Sequence, residues 1–252
     1  MEFNGIHWPF PKVVAHRGAG KHAPENTLAA MELGAKQGHK MVEFDVTLSA
    51  DDVAFLLHDD SLERTANLKA LASETSWHTL SKLDAGLWHS EAFKGEPIPT
   101  LGDIAKCTKK LDLAVNIEIK PANGLDEYTG KIIADQVVNL FKDHSLPPLI
   151  SSFSIDTLIA VKNAQPKLWL GYLMHEWKND WQTLIEPLRT KEGGIIAIHL
   201  NHTLITTERL AEIKALGLFV FVYTVNDLER AKYLLELGID AICTDETTLI
   251  KP

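Results

Sequence analysis

The chain has 252 residues, with 34 acidic and 25 basic side chains and a formal net charge of −9. That length suits one large domain or two small ones, and 45% apolar with 23% charged residues is an ordinary globular composition, which argues against a disordered or fibrous chain. The acidic surplus argues against nucleic acid or an anionic membrane as partner.

The N-terminus, Met1-Glu2-Phe3-Asn4-Gly5, has neither a basic n-region nor an apolar h-region, so no secretory signal is expected. Leu216–Val225 is the longest apolar candidate, far short of the roughly 18 residues a membrane span needs. Cys107 and Cys243 are too few for a disulfide framework or a cysteine metal motif, and a reducing, cytoplasmic setting follows as the default.

In chain order, strands are predicted at Lys12–Arg17, Met41–Val46, Leu113–Lys120, Leu149–Phe153, Leu168–Leu173, Ile195–Asn201, Phe219–Val225 and Asp240–Asp245. Each is mostly apolar without strict alternation, as in a parallel sheet covered by helices. Helical periodicity fills the intervals. Ile133, Val137, Leu140 and Phe141 share one face within Lys131–Asp143, and Leu228, Ala231, Leu234 and Leu235 repeat the pattern. Asp227 is a suitable N-cap for the latter, with Gly238 as its stop, and Gly217 ends the helix carrying Leu210 and Ile213. Eight such strands in this length predict a (β/α)8 barrel as a single unit. One interval breaks the rhythm. More than fifty residues separate Val46 from Leu101, with another strand-like run at Val53–His58, so a small insertion is expected over approximately residues 47–100.

Glu43 and Asp45 sit at i and i+2 in an apolar strand, which places both on one face. Glu118 and Lys120 repeat that spacing one barrel strand later. A charge within an apolar strand is costly unless paired or bound to a metal. Strand ends of a barrel converge on one mouth. Glu43, Asp45 and Glu118 would supply three hard oxygen donors there, suited to Mg²⁺ or Ca²⁺ and not to Zn²⁺ or copper. His16-Arg17-Gly18 ends the first strand, where Arg17 offers a fork for a phosphate or carboxylate and Gly18 and Gly20 permit close backbone approach. His58 closes Phe55-Leu56-Leu57. His7, His22, His39, His78, His89, His144 and His175 fall outside convincing strand-end positions.

Taken together, His16-Arg17, Glu43-x-Asp45, His58 and Glu118-x-Lys120 resemble the glycerophosphodiester phosphodiesterase family. The match extends to Pro24-Glu25-Asn26-Thr27, Leu57-His58-Asp59, Ile98-Pro99-Thr100-Leu101, Ser151-Ser152-Phe153, Tyr223-Thr224-Val225-Asn226 and Cys243-Thr244-Asp245. Ala29–Phe44 and His199–His202 are similar to its cytosolic bacterial members associated with glycerol 3-phosphate uptake. The resemblance covers nearly the whole chain. It implies a barrel with a small insertion that hydrolyses glycerophosphodiesters, its small-molecule substrates, to glycerol 3-phosphate and an alcohol. Glu43, Asp45 and Glu118 inherit the role of holding one divalent cation. His16 and His58 inherit acid–base roles, Arg17 and Lys120 phosphate contacts, and Phe153 and Tyr223 line the pocket. Asp51-Asp52 replaces a frequent Asp-Gly, and Asn67-Leu68-Lys69-Ala70 lacks glycines often found there. Direct attack by water and attack by the glycerol 2-hydroxyl through a cyclic phosphate both fit, and either histidine could start as the base. A lysophospholipase D of the same superfamily and an inactive glycerophosphodiester-binding barrel are the alternatives. The sequence does not specify an oligomeric state.

Overall fold

The computed structural model describes residues 7–190 and 192–252. Residues 1–6, which include the stretch read as lacking a secretory signal, lie outside the described residues.

Eight parallel strands close into a barrel: β1 (Val13–Ala15), β2 (Met41–Leu48), β4 (Ala114–Ile119), β5 (Leu149–Ser152), β6 (Trp169–Met174), β7 (Gly194–Asn201), β8 (Phe219–Tyr223) and β9 (Ala241–Thr244). Closure runs through β1, which pairs with β9 on one side and β2 on the other. The ninth strand, β3 (Ala54–Leu56), lies antiparallel on the outer end of β2. The architecture is a (β/α)8 barrel, as the strand count predicts.

Between barrel strands run α1 (Leu28–Lys36), α4 (Leu101–Lys110), α5 (Asp126–Leu140), α6 (Ile155–Ala164), α7 (Trp181–Ile185), α8 (Thr207–Ala215) and α9 (Leu228–Glu236). Two single-turn helices, α2 (Glu63–Ala66) and α3 (Trp77–Leu80), belong to the long segment after β2. Among the described residues no helix follows β9, and residues 245–252 form bends and turns. Thus seven of the eight strands are followed by a covering helix.

Local chemistry sets these boundaries. Asp227 caps α9, its side chain accepting from the Arg230 amide. Thr100 and Asp103 form a reciprocal capping box on α4, satisfying donors the helix leaves free. Helix α5 begins five residues before the periodic face at Lys131, because Asp126 and Glu127 complement the dipole of its first turn without being apolar.

β2 is buried along its entire length. Val42, Phe44 and Val46 join the main core, which includes Ile133 and Val137 from α5, while Glu43 and Asp45 occupy the opposite face. The strand therefore reads as continuously buried although only one face is greasy.

A second, smaller core gathers Phe55, Leu57, Leu62, Leu80 and Ile98 in the segment after β2. It fixes the end of β3, and so the position of His58. The two places where glycine would be usual are held by other residues in left-handed backbone: Asp52 at φ 62° and Asn67 at φ 52°. Asp and Asn tolerate that region better than other side chains, so the turns survive without glycine.

Candidate active site

The carboxyl ends of β1, β2, β4, β8 and β9 meet around a cavity of about 230 Å³, lined by His16, Arg17, Glu43, Glu118, Lys120 and Tyr223. His58, from the segment after β3, and Phe153, after β5, complete the same wall. Asp45 lies just behind it, 1% exposed, with Lys120 Nζ 3.6 Å and Arg17 Nε 3.5 Å away. All nine residues singled out in the sequence therefore gather at one end of the barrel.

Backbone geometry delivers the first of them. Arg17 adopts φ 50° directly after β1, and its amide donates to Glu43 Oε2 at 3.1 Å. Gly18 and Gly20 then turn the chain tightly. A Cβ at Gly20 would meet the Asp245 backbone at 2.2 Å, and one at Gly18 would touch Ala30 at 2.8 Å. Only glycine lets this loop pass between α1 and the end of β9.

The two histidines are held alike. His16 Nδ1 lies 2.6 Å from Asp245 Oδ1, and His58 Nδ1 lies 2.6 Å from Asp59 Oδ1. An aspartate on Nδ1 holds the proton there and leaves Nε2 free to exchange one. Burial pulls the His16 pKa down, but the Asp245 hydrogen bond and the Glu43 charge outweigh it and leave it raised. For His58, burial dominates and its pKa is lowered, aided by Lys120 and Arg17.

Charge at the site is arranged as a chain of ion pairs. Arg17 Nη1 reaches Glu25 Oε1 at 2.8 Å, Arg64 grips Glu25 at 2.7 Å, and Arg64 Nε contacts Asp59 Oδ2 at 2.6 Å. The segment carrying His58 is thereby tied to the loop carrying Arg17. Asn26, itself buried, donates to Asp45 Oδ2 at 2.9 Å and accepts from the Asp45 backbone amide at 3.0 Å, so it holds one carboxylate oxygen and the main chain of the same residue.

Asp45 pairs directly with Glu118 in the β2–β4 register, and Glu43 sits two residues earlier on the same face. One oxygen from each of Glu43, Asp45 and Glu118 lies within 4.8 Å of the other two. Like charges placed opposite each other are destabilising unless something neutralises them. Lys120 does so in part, at 2.5 Å from Glu118. Burial, then the Asp45 charge, still pushes the Glu43 pKa up to about 8, and Glu43 Oε1 is buried with no hydrogen-bond partner. Such an all-oxygen cluster with an unsatisfied carboxylate fits a hard divalent cation.

The apolar side is built from Phe153 and Tyr223, whose rings meet edge to face at 6.0 Å, with Lys120 Nζ 5.4 Å from the Phe153 centroid. Tyr223 Oη is buried without a partner, and burial raises its pKa.

Sequence reading missed several contributors. Asp59 and Asp245 appeared only as parts of motifs, although an Asp directly after His58 is a readable signal. His175 was set aside because the expected strand stopped at Leu173; β6 continues to Met174, and His175 lines the cavity. His199, stacked on Phe221 at 4.4 Å and fully buried, lines it as well, with neither ring nitrogen hydrogen-bonded. Burial alone drives its pKa down to about 3, so it is neutral.

Comparisons with known proteins agree on one family. The family model described as the glycerophosphoryl diester phosphodiesterase family matches residues 16–249. A glycerophosphodiester phosphodiesterase from Caldanaerobacter subterraneus subsp. tengcongensis is 32% identical over 240 residues, 93% of each chain. Among solved structures, an Oleispira antarctica phosphodiesterase in complex with the product sn-glycerol-3-phosphate superposes with a TM-score of 0.87 at 35% identity, covering 95% of this chain and 94% of that one. A glycerophosphodiester phosphodiesterase from Agrobacterium tumefaciens gives 0.77 at 26% identity, over 95% and 98%.

Proposed function

The chain belongs to the glycerophosphoryl diester phosphodiesterase family and is a phosphodiesterase; on that premise we propose that it hydrolyses glycerophosphodiesters to glycerol 3-phosphate and an alcohol, using two histidines and one divalent cation. The observation that carries this reading is the single cavity onto which His16, His58, Arg17, Glu43, Glu118 and Lys120 all open.

A phosphodiester is anionic and resists attack, so the site must balance charge and move two protons. Lys120 stands at the mouth as a partly exposed ammonium suited to a non-bridging phosphoryl oxygen. Arg17, half-buried and paired with Glu25 and Asp45, adds positive potential at the same place. This local pair lets a chain of net charge −9 take up an anion.

The Nε2 of one histidine accepts the proton of the attacking hydroxyl as the new P–O bond forms. The other histidine donates its proton to the alkoxide oxygen as the old P–O bond breaks. The nucleophile is water or the glycerol 2-hydroxyl. Phe153 and Tyr223 form an apolar wall against the carbon skeleton of the substrate. Glu43, Asp45 and Glu118 are the residues that hold the cation, Mg²⁺ or Ca²⁺ by their oxygen chemistry, and it supplies further neutralisation of charge developing at phosphorus.

The segment from about residue 47 to 100 belongs to this one unit: its small core presents His58, and Arg64 fastens it to the barrel through Glu25. A cytoplasmic setting accords with the two free cysteines. Among the described residues, no helix is long and apolar enough to cross a membrane.

The test is a coupled glycerol 3-phosphate assay on glycerophosphocholine and glycerophosphoethanolamine, run beside a choline-release assay on lysophosphatidylcholine. Release of glycerol 3-phosphate from the first two supports the proposal. Turnover of lysophosphatidylcholine alone would assign the chain to lysophospholipase D chemistry, and tight binding without turnover would make it a binding module.

A further inference from the structure

Cys243 on β9 is buried beside the site, and the chemistry above makes no use of its sulfur. Its Sγ, a ring nitrogen of His16 and a carboxylate oxygen of Glu43 all lie within 4.8 Å of one another, and the residue lines the same cavity. One sulfur, one imidazole nitrogen and one oxygen form a different donor set from the three carboxylates. Hard cations want oxygen only, whereas a borderline ion such as Zn²⁺ is held by cysteine, histidine and carboxylate at about 2.0–2.3 Å.

Two further features point to a ligand here. His16 Nδ1 is held by Asp245 at 2.6 Å, the carboxylate–histidine pairing that orients a metal-ligating imidazole and leaves its Nε2 as the donor. That Nε2 lies 3.8 Å from Glu43 Oε2, somewhat more than the roughly 3.3 Å between two such ligands on one tetrahedral ion, so a small side-chain shift would bring both onto it. Glu43 is 4% exposed, and its Oε1 has no hydrogen-bond partner. A buried carboxylate, one oxygen of which accepts from the Arg17 amide and the other of which is unpartnered, thus stands next to a presented nitrogen and a free sulfur.

We propose that His16, Glu43 and Cys243 form a second cation site, selective for a thiophilic divalent ion of the Zn²⁺ class and inhibitory to turnover. The site is nested against the all-oxygen set and shares Glu43 with it. On binding, the Cys243 thiol releases its proton to solvent and coordinates as thiolate. The ion also takes the Nε2 lone pair of His16, which can then carry no proton. The inhibitory effect rests on the acid–base role proposed for His16, whereas the binding itself does not.

The experiment uses the Mg²⁺-supplied enzyme as wild type, Cys243→Ser and Cys243→Ala, titrated with Zn²⁺ for activity and with Co²⁺ for absorption. Turnover without Zn²⁺ should persist in both variants. Half-inhibition by Zn²⁺ should need at least about tenfold more metal in them, since even loss of an outer partner costs that much affinity. Co²⁺ should give wild type an intense near-ultraviolet thiolate-to-metal band that both variants lack. Absence of the band in wild type overturns the site, a result that needs no variant to fold. A band without inhibition by Zn²⁺ overturns the inhibitory claim, and the role of His16 with it. Equal Zn²⁺ sensitivity in wild type and folded variants overturns it too. A wild type without turnover on any glycerophosphodiester defeats the functional reading, and the cobalt spectrum still decides the site.

Discussion

His16 and His58 differ in what surrounds them but share one device, an aspartate on Nδ1 at 2.6 Å. Removing either imidazole should lower kcat by roughly 10²–10⁴, the usual size of an acid–base contribution. Steady-state rates of purified His16→Ala and His58→Ala check this, and near-wild-type turnover would remove that histidine from the scheme. Asp59→Asn and Asp245→Asn keep shape but lose control of the tautomer, so each should cut kcat by at least about tenfold with little change in KM. An effect confined to KM would instead mean that these aspartates contact substrate. At this scale the reading from sequence reached the residues whose types announce chemistry: acid-x-acid in an apolar strand, His-Arg at a strand end. It named Asn26 only within a matched motif and did not reach its role, bracing Asp45 from a loop 19 residues away, nor that of Arg64, which bridges Glu25 and Asp59. Those are contacts between distant segments, and nothing in local spacing records them.

Strands and loops decide whether such residues meet. The β2–β4 register sets Asp45 opposite Glu118, and a slip of β2 by one residue would turn Glu43 and Asp45 onto the helix-covered face, away from Glu118. The loop after β1 depends on α1 through a close backbone contact that local sequence does not record. A Cβ at Gly34 would sit 2.0 Å from the Gly18 carbonyl oxygen, so α1 must present bare backbone to the loop holding His16 and Arg17. Gly34→Ala should destabilise the protein by about 1–3 kcal/mol, as overpacking does, and lower turnover by shifting that loop. A thermal melt with Tm unchanged would contradict the packing account. Barrel strands were legible because apolar runs and turn residues are local signals. The absence of a helix after β9 was not, since a strand alone does not say what covers it.

For the whole molecule, the decisive balance is a net charge of −9 against a site that must accept an anion. Ion pairs from barrel and insertion settle it locally, and they leave a signature in acid. Hydrogen bonds from Arg64 hold Asp59 well below the ordinary carboxylate range; burial pushes Glu25 up, but the Arg64 hydrogen bonds together with the charges of Arg17 and Arg64 leave it lowered. Both groups titrate lower in the folded chain than in the unfolded one. Their contribution is therefore complete above the unfolded values near pH 4 and is lost as pH falls toward the folded values. Urea midpoints should drop below about pH 4 in wild type, and by less in Arg64→Met, which lacks the stabilised carboxylates. Equal acid sensitivity in both would show that this network does not couple insertion to barrel.

The central claim, that Glu43, Asp45 and Glu118 hold one hard cation on which hydrolysis depends, is most directly tested by turnover of chelator-stripped enzyme. Glycerol 3-phosphate release from glycerophosphocholine should vanish, return with Mg²⁺ or Ca²⁺, and fail to return in Asp45→Asn. Full turnover of the stripped enzyme in metal-free buffer would contradict the account.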